Sequence, residues 1–148
     1  MLLAILALVA MVNYGLGWIV IGGVPLSLER ILGWLFAPVA FFLGVPWSDI
    51  EKVGSLLGQK TVLTEFVAYT NMSQALAKDP QWLTERGRLI ASYALCGFAN
   101  FGSIGIQIGG YGGLAPERRG DLSRLALRAM LGGGLATALV ACVAGVLL

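Results

Sequence analysis

Residues 53–77 read VGSLLGQKTVLTEFVAYTNMSQALA. The stretch is long enough to cross a bilayer, which takes about 20 apolar residues, yet it carries Lys60 and Glu65 near its middle. A charge at the centre of a lipid-facing helix costs about 2.5 to 3.5 kcal/mol, so two of them call for shelter inside protein. A helical hairpin that enters and leaves the membrane on the same side supplies that shelter, with its tip near Gly58 to Thr64 packed in protein rather than lipid. Each arm is then about 12 residues, or roughly 18 Å at the helical rise, and the tip stops near the bilayer midplane. Ser48 followed by Glu51 reads as a capping box that opens the first arm, which sets the expected hairpin at 48–77. Charge counting alone leaves a hairpin and a full span equally open.

Outward from that stretch the chain stays apolar. It has 148 residues, 57% of them hydrophobic and 12% charged, a composition that makes the bilayer its natural solvent. Residues 1–28 hold no charged side chain and predict a helix over 1–21, ended by Gly22, Gly23 and Pro25. No basic segment precedes that run, so it does not read as a signal peptide, and Met1 is free to be an internal methionine of a longer protein. Ser27 is a helix N-cap candidate for a second helix over 27–45, ended by Gly44 and Pro46.

On the other side, Asp79 before Pro80 reads as an N-cap and first-turn pair, and Trp82 among Glu85, Arg86 and Arg88 suits a short helix or turn at the membrane interface. The next apolar stretch is crowded with glycine from Gly97 to Gly113, which predicts a broken helix over 87–115, since unwound backbone at membrane depth persists where it lines a protein cavity. A linker over 117–128 holds Arg118, Arg119, Arg124 and Arg128 against Glu117 and Asp121. The positive-inside rule makes it cytoplasmic and puts the C-terminus outside, after a last helix over 121–148. The fold class is therefore an all-α membrane protein, with transmembrane helices, one re-entrant helical hairpin and one discontinuous helix.

Several chemistries are excluded by composition. A net charge of +2, scattered between apolar runs, is no footprint for nucleic acid. The absence of histidine removes imidazole relays, histidine-ligated metals and catalytic triads. Cys96 and Cys142 lie far apart and read as packing residues rather than a disulfide or a metal pair. Glu65 is the one acid inside an apolar stretch, so a membrane enzyme would lack paired carboxylates. The chain is read as no enzyme, with no cofactor and no metal site.

Two runs carry a family resemblance: GQKTVLTEFVAY at 58–69 and SYALCGFANFGSIGIQIGG at 92–110. Both resemble signature segments of the concentrative nucleoside transporters. The resemblance covers essentially all of this chain but only the C-terminal part of a family member, of bacterial type. It implies cation-coupled nucleoside symport across the cell membrane, multi-pass and of bacterial inner-membrane type, with this chain supplying the ribose-binding half. It also implies a homotrimer, with the second helix near the subunit contact, and places the nucleobase site and the coupling cation, sodium or proton, in an N-terminal part upstream. The partners are then a nucleoside and the lipid bilayer. One family variant has asparagine before the hairpin glutamate where this chain has Thr64, which keeps the carboxylate but removes any role for the preceding amide. The competing class is a non-transporting membrane subunit or a truncated fragment of such a transporter.

The candidate substrate-binding residues are Glu65, Asn100, Ser103 and Phe98. An acid inside an apolar stretch is expensive and so marks a site, and the resemblance implies that Glu65 accepts hydrogen bonds from ribose hydroxyls. The alternative is a structural pair with Lys60, itself read as a snorkelling or hairpin-stabilising charge. Asn100 and Ser103 are three apart and would share a face of a helical turn, offering donors and acceptors to ribose or acting as interhelical glue. The resemblance implies an aromatic wall at Phe98, against plain packing. Gln59 and Thr61, at the expected tip, are read as caps of the hairpin arms rather than as substrate contacts.

Overall fold

The computed structural model describes residues 2–147, and they are mostly helical. In chain order they form α1 (Leu2–Leu16), a short antiparallel pair β1 (Val20–Ile21) and β2 (Val24–Pro25), α2 (Leu28–Phe42), a 3-10 turn (Trp47–Asp49), α3 (Ile50–Val62), α4 (Glu65–Lys78), α5 (Glu85–Leu95), α6 (Phe101–Leu114), a second 3-10 turn (Pro116–Arg118) and α7 (Arg119–Leu147). Met1 and Leu148, the outer ends of the first and last expected helices, lie outside the described residues.

The first expected helix is shorter than 1–21. It ends at Leu16, and the chain turns back as a hairpin that pairs Val20 with Pro25 and Ile21 with Val24. Gly22 and Gly23 sit at φ 65° and 78°, the left-handed conformations that a two-residue hairpin turn requires and glycine adopts without steric penalty. An apolar run looks the same in either conformation, which is why composition missed the strands. Ser27 does cap α2, accepting from the Arg30 amide at 3.2 Å. Asn13 of α1 adds a second cap, its Oδ1 accepting from the Leu28 amide at 2.8 Å and its Nδ2 donating to both Glu29 oxygens at 3.0 Å.

Helix α3 packs on α2 at glycine contact distance. A methyl group added at Gly54 would lie 2.7 Å from the Gly33 carbonyl oxygen, and one at Gly58 would lie 2.8 Å from that of Glu29. Backbone cannot yield at that range as a side chain can. The core continues from this seam through Val53, Leu56, Ile90, Leu95 and Ala141, all at most 1% exposed, so α2, α3, α5 and the last turns of α7 share it. The exterior is apolar instead of charged: Leu131, Leu135, Leu139, Val143 and Val146 of α7 all stand exposed. Among the described residues, Pro116–Leu147 is the segment long and apolar enough to cross a bilayer by itself, at 32 residues.

Three helix starts differ from expectation. The capping box at Ser48 and Glu51 does not form: Ser48 lies within the 3-10 turn, its hydroxyl donates to Asp49 Oδ1 at 3.2 Å, and α3 begins only at Ile50. Asp79 does not open a helix: it closes α4, and its carboxylate accepts from the Gln81 amide at 2.9 Å in a local turn. The next helix starts at Glu85, where Thr84 is the N-cap and accepts from the Gly87 amide at 3.0 Å. The arginine-bearing segment is not a free linker either. Glu117 and Arg118 lie in the 3-10 turn, and from Arg119 the segment, with Asp121, Arg124 and Arg128, is helical and continuous with α7.

Candidate functional site

Two interruptions of helix meet in space. At the first, α3 stops at Val62 and α4 starts at Glu65, with Thr64 as N-cap accepting from the Val67 amide at 3.3 Å. At the second, α5 stops at Leu95 and α6 starts at Phe101, with Asn100 as N-cap. Glu65 Oε2 accepts from Asn100 Nδ2 at 2.8 Å, which joins them. The carboxylate lies beside the N-termini of α4 and α6, the positive ends of their helix dipoles.

Asn100 and Ser103 come together differently from two neighbours on one helical face. Asn100 lies just outside α6, its Oδ1 accepting from the Ser103 amide at 2.7 Å, while Ser103 Oγ donates to the Asn100 carbonyl at 2.6 Å and accepts from the Asn100 amide at 3.3 Å. This is a reciprocal cap. Asn100 is 1% exposed and Ser103 5%, yet only one of the two Nδ2 hydrogens of Asn100 is engaged by Glu65, and among the described residues Glu65 Oε1 accepts nothing. The arrangement can therefore receive a donor at Glu65 and an acceptor at Asn100 on the same ligand.

Phe98 stands apart from that pair. It is 56% exposed and lines a cavity of about 350 Å3 between α6 and α7, shared with Ser103, Gln107, Tyr111 and Met130. Lys60 is buried and donates to the Ala94 carbonyl at 2.8 Å, so it braces the fold and does not snorkel. Lys60 and Glu65 form no ion pair within 4.0 Å among the described residues. Gln59 of α3 accepts from Asn71 of α4 at 2.7 Å, and Thr61 donates to the Leu57 carbonyl of its own helix at 2.8 Å. Neither caps a helix end, contrary to their reading in the sequence; Thr64 fills that role at the start of α4. No group of three or more histidine, cysteine or acidic side chains that could hold a metal occurs among the described residues.

Residues 1–145 match the family described as "Na+ dependent nucleoside transporter C-terminus". The chain belongs to this family. A transporter from Bacillus subtilis, YutK, described as uncharacterized, is 49% identical over 147 residues, covering 98% of this chain and 35% of YutK. Rat sodium/nucleoside cotransporter 1 is 43% identical, covering 99% of this chain and 24% of the rat protein. Among solved structures, CNTnw in an inward-facing substrate-bound state superimposes with a TM-score of 0.82 at 46% identity, covering 97% of this chain and 34% of that one. A CNTnw variant in an intermediate state reaches 0.86 at 45% identity. The chain thus spans about a quarter to somewhat over a third of the length of these relatives, which are transporters and not enzymes. It is part of a membrane protein.

Two features of this nucleoside transporter chain escaped the reading of its sequence. The Tyr69 hydroxyl donates to the Ser92 carbonyl at 2.5 Å. Its place four residues after Glu65, on the same face of α4, was the available signal. Gly97 lies against Thr137 of α7 so closely that any Cβ there would overlap the threonine side chain, a contact between elements remote in sequence that no local pattern announces.

Proposed function

We propose that this chain supplies the ribose-binding half of a cation-coupled nucleoside symporter in the cell membrane. The observation that carries the reading is the Glu65–Asn100 hydrogen bond, formed between two interrupted helices and left with unused donor and acceptor capacity. A ribose presents two neighbouring hydroxyls, each both donor and acceptor. One can donate to Glu65 while accepting from Asn100. Ser103 holds the cap that orients Asn100, and Phe98 walls the adjoining cavity.

In this reading α3 and α4 are the arms of a re-entrant hairpin, and α5 and α6 are the halves of one discontinuous helix. Their lengths support it, because 13, 14, 11 and 14 residues correspond to only about 16 to 21 Å at the helical rise, short of the roughly 30 Å hydrocarbon core. Interrupted helices that meet near the midplane are the usual construction of a secondary-transporter site. The coupling cation, sodium or proton, and the nucleobase site belong to the part of the transporter upstream, and the assembly is a homotrimer in a multi-pass, bacterial inner-membrane setting. The name of the rat relative supports the nucleoside and sodium parts of the reading, and the substrate-bound state of the CNTnw structure supports a substrate-binding role for this region.

The test is uptake of labelled uridine and adenosine by cells expressing the full-length transporter, with and without a sodium gradient. Accumulation of either that collapses with the sodium or proton gradient is expected. Equilibration without accumulation under both gradients would remove the symport reading.

A further inference from the structure

Lys60 and Tyr69 flank Glu65 in the run GQKTVLTEFVAY, and the ribose reading gives neither of them a task. Both reach the same place. Because α5 stops at Leu95, the carbonyls of its last turn lose the amides that would bond them in a continued helix. The Cys96 amide closes on the Tyr93 carbonyl at 3.3 Å, which leaves the Ser92 carbonyl without its helical partner. Tyr69 donates to Ser92 at 2.5 Å, and buried Lys60 donates to Ala94 at 2.8 Å. Across the break, Glu65 accepts from Asn100. The α3–α4 pair therefore touches both rims, with donors at the C-terminal end of α5 and an acceptor at the N-terminal cap of α6, matched in sign to the partial charges of those helix ends.

We propose that Lys60 and Tyr69 are positioning residues of the sugar site: they hold the carbonyl rim of α5 so that the unwound segment 96–100 presents Asn100 to Glu65. This rests on the reading of Glu65 and Asn100 as the ribose contacts. The segment has little freedom once its first rim is held, since Gly97 is pressed on Thr137 and Asn100 is locked into the cap with Ser103. Release of the rim moves the segment as a unit. A binding pair displaced by a fraction of an ångström loses its geometry even though every contacting residue is still present.

The experiment measures binding of a ribonucleoside, uridine or adenosine, and of its 2′,3′-dideoxy counterpart to the purified full-length transporter. Wild type is compared with Tyr69→Phe, Lys60→Met and Glu65→Gln, and with each of the first two combined with Glu65→Gln. The positioning role predicts that Tyr69→Phe and Lys60→Met weaken the ribonucleoside about two- to tenfold and leave the dideoxynucleoside unchanged. In the Glu65→Gln background the same substitutions should change the ratio no further. Should Lys60→Met fail to accumulate, Tyr69→Phe, which removes a single oxygen, decides alone. A wild-type ratio in folded Tyr69→Phe, with only a lower melting temperature, overturns the proposal and leaves the ribose reading standing if Glu65→Gln narrows the ratio. A ratio unchanged in Glu65→Gln itself removes the ribose reading and the positioning role with it.

Discussion

The molecule holds two polar clusters inside an apolar shell, and they differ in how completely they are closed. At one end, Asp49, 2% exposed, accepts at Oδ2 from the amide and hydroxyl of Thr84 at 2.9 and 2.6 Å, while Oδ1 faces the Ser48 hydroxyl at 3.2 Å and the Lys52 amine at 3.9 Å. Lys52 in turn donates to the Trp82 carbonyl at 2.5 Å, and Arg86 ties the carbonyls of Gly44 and Gly145. Asp49 has both its oxygens engaged within the protein. At the interrupted end, Glu65 has one partner and Asn100 one uncommitted hydrogen. A closed network fixes the chain in place, because nothing outside can better its bonds; an open one keeps capacity for a ligand.

Four substitutions break or sharpen that contrast, the largest effect first. Asp49→Ala should cost about 3 kcal/mol of stability, because it removes the buried carboxylate that the Thr84 amide and hydroxyl, the Ser48 hydroxyl and the Lys52 amine all face. The readout is the melting temperature of the solubilised full-length transporter, and folded Asp49→Ala should keep the wild-type ratio of ribonucleoside to dideoxynucleoside affinity. An altered ratio would mean that the closed cluster takes part in binding.

Glu65→Gln should show the opposite profile, with little change in melting temperature and a ribonucleoside affinity lowered by roughly 1.5 to 3 kcal/mol, or about ten- to more than a hundredfold. A large stability loss with normal affinity would place Glu65 in the same class as Asp49.

The smallest pair separates two serines that look alike in sequence. Ser27→Ala removes a formed cap and should cost about 1 kcal/mol, whereas Ser48→Ala, at an exposed residue that caps nothing, should stay within about 0.5 kcal/mol. Equal effects on melting temperature would restore the capping box that the structure lacks.

The sequence by itself determined the solvent, the helical class and the place of the interruptions. Lys60 and Glu65 in an apolar stretch, and the run of glycines from Gly97, are local statements about what a membrane-depth helix tolerates, and Ser27 acts on residues within one turn of itself. Glu65, Asn100 and Ser103 could be singled out for the same reason, as polar groups costly to bury. What only the tertiary structure decided was partnership. The partner of Asp49 could not be seen, because its Oδ2 is filled by Thr84, 35 residues away. Lys60 and Glu65 were natural partners in sequence, yet one bonds Ala94 and the other Asn100 on opposite rims of one break. Hydrogen bonds and close contacts depend on positions to within tenths of an ångström, and those positions are set by how whole helices pack, through seams such as Gly33 against Gly54, rather than by the spacing of residues along the chain.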